Sequence, residues 1–187
     1  MLTTAERLDL LRLARQTIAS HLSGARPPGA VQLVDPRAHS GAFVTLHAHH
    51  DLRGCIGYPG SAQPLDEVVA RCAVSAATED PRFPPLSAGE LPDVEIEISV
   101  LTPMAPVDDV REIEVGRDGL VVQDGGRRGL LLPQVATERG WDRETFLSHT
   151  CLKAGLRSDA WRSGAKIFRF QAEVFSERSE GAGLRPN

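Results

Sequence analysis

Two short β-prone runs, Gly41 to Ala48 and Leu52 to Gly57, are separated by three polar residues, His49-His50-Asp51. Runs joined this closely predict an antiparallel hairpin. The pattern also sets a register. Pairing Ala48 with Leu52, Leu46 with Gly54 and Val44 with Ile56 gathers the apolar side chains on one face, and a slip of one residue scatters them. The other face then carries Phe43, Thr45, His47, Arg53 and Cys55, with His47 opposite Arg53 and Thr45 opposite Cys55.

The second run, Leu52-Arg53-Gly54-Cys55-Ile56-Gly57, sets a guanidinium and a thiol two residues apart. A neighbouring cation favours the thiolate, the nucleophilic form. His47, diagonal to Cys55, is placed to act as base or orienter. Gly54 and Gly57 weaken a strand, so they mark a bulge or a close backbone approach. The plainer reading is a half-solvated polar face with Cys55 packed as a small hydrophobe.

The rest of the chain narrows the function classes. With 187 residues and a net charge of −4, it is one domain with room for a smaller lobe. No basic run is interleaved with aromatics, which argues against nucleic acid. No segment reaches membrane-spanning length, and Met1 to Ser20 reads as a charged amphipathic helix, not a signal peptide, so a cytoplasmic protein is expected. Three cysteines, Cys55, Cys72 and Cys151, make an odd set without a C-x-x-C, arguing against a disulfide framework and a structural zinc. Lys153 and Lys166 are the only lysines, a bias expected of a GC-rich bacterial genome.

Thr3-x-x-Glu6 has the form of a capping box for a first helix ending near Ser23-Gly24. Leu65, Val68, Val69, Cys72, Ala73 and Ala76 make the apolar stripe of a second helix starting near Pro64. Asp80-Pro81-Arg82-Phe83-Pro84-Pro85-Leu86 is a stiff loop carrying two opposite charges. Val94 to Leu101 alternates as a half-buried strand, with Glu97 a candidate partner for Arg53 if the two strands adjoin. Val31 to Val34 is a candidate short extended piece, and Ile113 to Val115 a candidate short strand. Asp124-Gly125-Gly126 signals a second hairpin. Pro133 starts a short helix, and Asp142 caps another in which Cys151 is core and His149 lies off the apolar stripe. Lys166 to Phe175 is the last strand, and residues 178–187 read as a frayed tail. Hairpins without strict βα alternation point to an α+β fold, an antiparallel or mixed sheet flanked by helices.

These residues also carry a resemblance. Leu52 to Gly57 resembles the signature hexapeptide of the AMMECR-type domain family. Asp80 to Leu86, Glu97 to Thr102, Gly129 to Gln134, Gly140-Trp141-Asp142 and Cys151 to Leu156 match in the same order. Bacterial members of that family carry the label AmmeMemoRadiSam system protein A. The resemblance implies a sheet-and-helix domain over residues 1–177 with a smaller lobe, and a cleft near the signature. It further implies MEMO-like and radical S-adenosylmethionine proteins as partners. It implies no cofactor and no defined reaction. Arg53, Gly54, Cys55 and Gly57 carry the motif, with Asp80, Arg82 and Glu97 as matching residues.

Three readings follow. In an enzyme, Cys55 is the nucleophile, Arg53 grips an anionic substrate, His47 or His149 moves protons and Glu97 orients Arg53. Gly54, Gly57, Asp80 and Arg82 then line the substrate site. In a binding module, Arg53 and the glycines hold an anionic ligand or protein segment and no bond changes. In a structural role, Arg53 is a buried partner of Glu97 or Asp80, and losing it would cost about 3–5 kcal/mol. A metal at His47, His49 and His50 has ligand-like spacing on a strand face and is the weakest of these readings.

Overall fold

In the computed structural model, residues 1–39 and 41–181 are described. The chain divides into two compact units, residues 1–101 with 173–187, and residues 102–172. Each is built on an antiparallel sheet, and with four α-helices among the described residues the fold is α+β.

The first unit opens with α1, Thr4–Ser23. The predicted capping box is present: the Glu6 N–H donates to Thr3 Oγ1, and the Thr3 N–H donates to the Glu6 carboxylate. Gly24 ends the helix in the left-handed region, at φ 69°. The sheet is β1 (Gly41–Ala48), β2 (Asp51–Pro59) and β3 (Val94–Leu101), in the order β2-β1-β3. Helix α2, Leu65–Thr78, packs on β1 and β2, and its predicted stripe is buried among Leu10, Leu11, Val44, Leu46, Ile96 and Ile98. Val31 to Val34, expected to be a short extended piece, joins no strand of the sheet.

The second unit holds the two-residue strand β4 (Ala105–Pro106), β5 (Asp118–Asp124), β6 (Arg127–Leu131) and the first part of β7 (Lys166–Ser176). Helices α3 (Pro133–Glu138) and α4 (Arg143–Lys153) complete it, α4 packing on β5 and β6. Its core gathers Ile113, Leu120, Val122, Phe146, Leu147 and Cys151. The predicted strand from Ile113 to Val115 does not form: Ile113 follows a single 3-10 turn and Val115 lies in the turn leading into β5, fixed by Arg117 and Asp118 N–H bonds to Glu114 O.

From Glu173 to Gly181 the chain returns to the first unit, where the Glu177 N–H donates to Ile96 O and the Glu177 carboxylate accepts a fork from Arg15. Residues 178–181, expected to fray, form a turn tied to this unit by an Arg178–Glu95 pair at 2.9 Å. The remainder of that expected tail, residues 182–187, lies outside the described residues. Among the described residues no helix is long and apolar enough to cross a membrane.

Candidate functional site

The β1–β2 hairpin turns in two residues, not three. Ala48 pairs with Asp51, and His49 and His50 both take positive φ, 53° and 74°, the conformation of a type I′ turn. That pairing runs one residue out of step with the apolar pattern. A bulge restores it: His47 pairs with Leu52, Leu46 with Gly54, and Arg53 is the extra residue. The predicted partners Leu46–Gly54, Val44–Ile56 and Thr45–Cys55 therefore hold, while Ala48–Leu52 and His47–Arg53 do not.

The bulge takes Arg53 away from the expected partner as well. Strand β3 lies against β1, not β2, so Glu97 faces Thr45. Arg53 instead donates from Nε and Nη2 to Glu90 Oε1 at 3.2 and 3.0 Å, and from Nη1 to Pro84 O at 3.0 Å. Glu90 is held in turn by the Ser87 N–H and hydroxyl, which with Arg53 keep its carboxyl below the usual range. Ser87-x-x-Glu90 has capping-box spacing, the signal that could have singled out Glu90. The Arg53 side chain is 13% exposed and Glu90 46%. Removing Arg53 therefore strands a carboxylate in water, not in the core, and the 3–5 kcal/mol of a buried pair does not apply.

Cys55 sits on the edge strand, with its backbone gripped from outside the sheet. Its N–H donates to Asp80 Oδ2 at 2.9 Å, and its carbonyl accepts from Arg82 Nη2 at 3.4 Å. Backbone groups that point away from β1 make Thr45–Cys55 a pair without ladder bonds, the kind whose side chains lie closest. The Thr45 hydroxyl accordingly donates to Sγ at 3.3 Å. Asp80 is nearly sealed, its side chain 2% exposed, and also accepts from Arg82 Nε and Nη2 at 2.9 and 2.7 Å. The Arg82 fork, with the Cys55 and Arg82 N–H groups, outweighs burial and holds the Asp80 carboxyl far below the ordinary aspartate range. Asp80, directly before the first of the prolines that stiffen its loop, thus serves as a side-chain substitute for a missing neighbour strand.

Both motif glycines are explained by packing. A Cβ on Gly54 would lie 2.2 Å from Ala76 O of α2, and one on Gly57 would lie 2.1 Å from the Phe43 ring. Thr45, His47 and Cys55 are half-buried on the outer face, joined there by Glu95 and Glu97 of β3. His47 lies two residues along β1 from Thr45, and its side chain makes no hydrogen bond among the described residues. His149 belongs to the second unit, where its ring stacks on Trp141 at 3.9 Å and 6°. Cys72 and Cys151 are fully buried, and burial pushes the Cys72 thiol up to about 11. All three cysteines are free. Among the described residues no three His, Cys, Asp or Glu side chains converge as a metal cage.

A sequence profile of the AMMECR1 family matches residues 11–175. The chain belongs to the AMMECR1 family. Relatives of the family include a protein of Thermofilum pendens, 49% identical over 94% of this chain and 92% of its own. Protein MJ0810 of Methanocaldococcus jannaschii is 44% identical over 95% and 92%. The crystal structure of the uncharacterized protein PH0010 from Pyrococcus horikoshii is similar at a TM-score of 0.82 and 40% identity, over 97% of this chain and 95% of that one. These AMMECR1 relatives are archaeal, so they lend no support to the bacterial source that the arginine bias suggested.

Proposed function

We propose that the protein is a thiol-dependent group-transfer enzyme, or the thiol-bearing component of one, with Cys55 as nucleophile. One observation supports this reading. Arg53 latches the loop, Gly54 admits α2 and Gly57 admits the Phe43 ring, so each has an architectural task. Cys55 has none: its side chain is half-buried on the outer face, belongs to neither core cluster, and its sulfur receives a hydroxyl hydrogen bond.

In the step this reading requires, Sγ forms a bond to the electrophilic carbon of an acyl or alkyl group. The bond from that carbon to its leaving group breaks with its electron pair, and the thiol proton passes to the imidazole of His47 on the same face. His149, stacked on Trp141 in the second unit, has no part in this step. Glu97 loses its assigned task of orienting Arg53 and stays in the proposal as the carboxylate on the Cys55–Thr45–Glu97 row. A MEMO-like protein and a radical S-adenosylmethionine protein in the cytoplasm would be its partners.

Alkylation of the native protein by iodoacetamide, read by peptide mass mapping, tests the proposal. Cys55 is expected to react well ahead of Cys72 and Cys151, and faster than the same thiol in protein unfolded by guanidinium chloride. A native Cys55 slower than its unfolded counterpart removes the nucleophile. The half-exposed Arg82 guanidinium then favours a non-catalytic module binding an anionic ligand or protein segment, recognised by retention that survives Cys55→Ser and is lost in Arg82→Gln.

A further inference from the structure

We infer that Arg82 selects the substrate of this thiol: the group transferred to Cys55 arrives on a molecule carrying a carboxylate beside its electrophilic carbon. The inference rests on the thiol reading and names the substrate class that it left open.

The two arginines around the motif divide the work. Arg53 is 13% exposed and has all three nitrogens engaged, so it offers a ligand little. Arg82 is 54% exposed, and only its Nε and Nη2 are occupied, by Asp80 and by the Cys55 carbonyl. Nη1 has no hydrogen-bond partner among the described residues, leaving two N–H donors free. These donors belong to the guanidinium that already touches the Cys55 backbone.

The orientation of the pair matters more than its net charge. Asp80 is sealed, so the negative end of the ion pair faces inward and the positive end outward, beside the strand that carries the thiol. A carboxylate oxygen at Nη1 would displace none of the existing bonds. The guanidinium is also pre-set: the fork onto Asp80 fixes its plane, the Arg82 N–H closes a turn on Asp80 Oδ1 at 3.1 Å, and Pro81, Pro84 and Pro85 stiffen the loop. Two carboxylates share the outer face and oppose an anion. Glu95 is neutralised by Arg178. Glu97 lies two strands from Cys55, about 10 Å at the usual strand spacing and roughly one Debye length in physiological salt.

Iodoacetate and iodoacetamide are the probes. Both form the same C–S bond at Cys55 and release iodide, and they differ in whether a carboxylate sits beside the reacting carbon. The ratio of their second-order rates at Cys55 reads the preference, and any loosening of the loop acts on both rates and cancels. The wild-type ratio is expected to exceed that of a cysteine in an unstructured peptide and to fall as salt is raised. Arg82→Gln is expected to lower it roughly two- to fivefold, the size of an exposed charge pair, and Arg82→Lys to restore part of the loss. A ratio unchanged by Arg82→Gln and insensitive to salt overturns the inference while leaving the nucleophile standing. A Cys55 that iodoacetamide does not reach removes the thiol reading and the inference with it.

Discussion

The β1–β2 hairpin of the first unit and the β5–β6 hairpin of the second both turn in two residues, and both rest a glycine on the helix that covers them. Gly129 does for α4 what Gly54 does for α2: its Cβ would lie 2.3 Å from Ala154 N. Beyond that the two diverge. β5–β6 turns on Gly125, at φ 58°, and runs without interruption from Asp124–Arg127 to Leu120–Leu131. β1–β2 places two histidines in the left-handed region and bulges Arg53. Irregular backbone costs free energy and persists where its surroundings over-determine it. Here it lies two residues from the thiol, and its effect is to aim Arg53 at the loop that carries Asp80 and Arg82.

The shared device gives the largest expected effect. Gly54→Ala and Gly129→Ala each drive a methyl into helix backbone, which cannot turn aside as a side chain can. Each is expected to cost about 3 kcal/mol in denaturant unfolding, the upper end of overpacking. Gly57→Ala meets first the Phe43 ring, a side chain that can turn where helix backbone cannot, and should cost less. Equal losses at all three positions would mean that the helix contacts are not the tight points of the hairpins.

Which parts of this were legible in the sequence depends on what the pattern constrains. The apolar residues Val44, Leu46 and Ile56 fix the pairing around Gly54, and the structure keeps it. They say nothing of the turn, where polar residues are free to sit in a loop of either two or three. A three-residue turn needs no bulge and a two-residue turn needs one, so the fate of Arg53 hung on a choice that the pattern does not record. Glu97 was misplaced for a related reason: strand alternation gives a residue its face, while the neighbour on that face depends on strand order, and β1 lies between. The helices α1, α2 and α4 were readable because Glu6, Asp142 and the stripe from Leu65 to Ala76 act within a few residues of chain.

Asp80 gives the next effect. Its carboxyl is held below the ordinary range when folded, so its charge stabilises the fold above the unfolded value near pH 4, and this contribution is lost as the pH falls through the folded value. Asp80→Asn is expected to cost about 2 kcal/mol at neutral pH, as charged hydrogen bonds onto Arg82 and Cys55 weaken. The gap between variant and wild type should narrow on acidification below about pH 4. The second unit has its own counterpart: burial pushes the Asp118 carboxyl up, but Arg117 and the Glu114 N–H outweigh it. Asp118→Asn should behave alike in acid but leave the iodoacetamide rate of Cys55 unchanged, whereas Asp80→Asn should alter it. If both variants alter that rate, the grip on the Cys55 backbone is not specific to Asp80.

The smallest effect has the opposite sign. Positive φ costs a residue with a Cβ about 1 kcal/mol that glycine does not pay, and asparagine tolerates it better than histidine. His49→Asn with His50→Gly writes into the first hairpin the residues that a type I′ turn favours. It is expected to stabilise the protein by about 1 kcal/mol, less a small loss from the 3.4 Å contact of Arg178 with His50 Nδ1. Gly125→Ala, which puts a Cβ at φ 58° in the second hairpin, is expected to destabilise by a similar amount. The bulge at Arg53 follows from turn length, not turn composition, so Cys55 should keep its alkylation rate in the double variant. A stabilised turn with an altered Cys55 rate would show that the histidines hold the motif in place, and would move the difference between the two hairpins from the bulge to the turn.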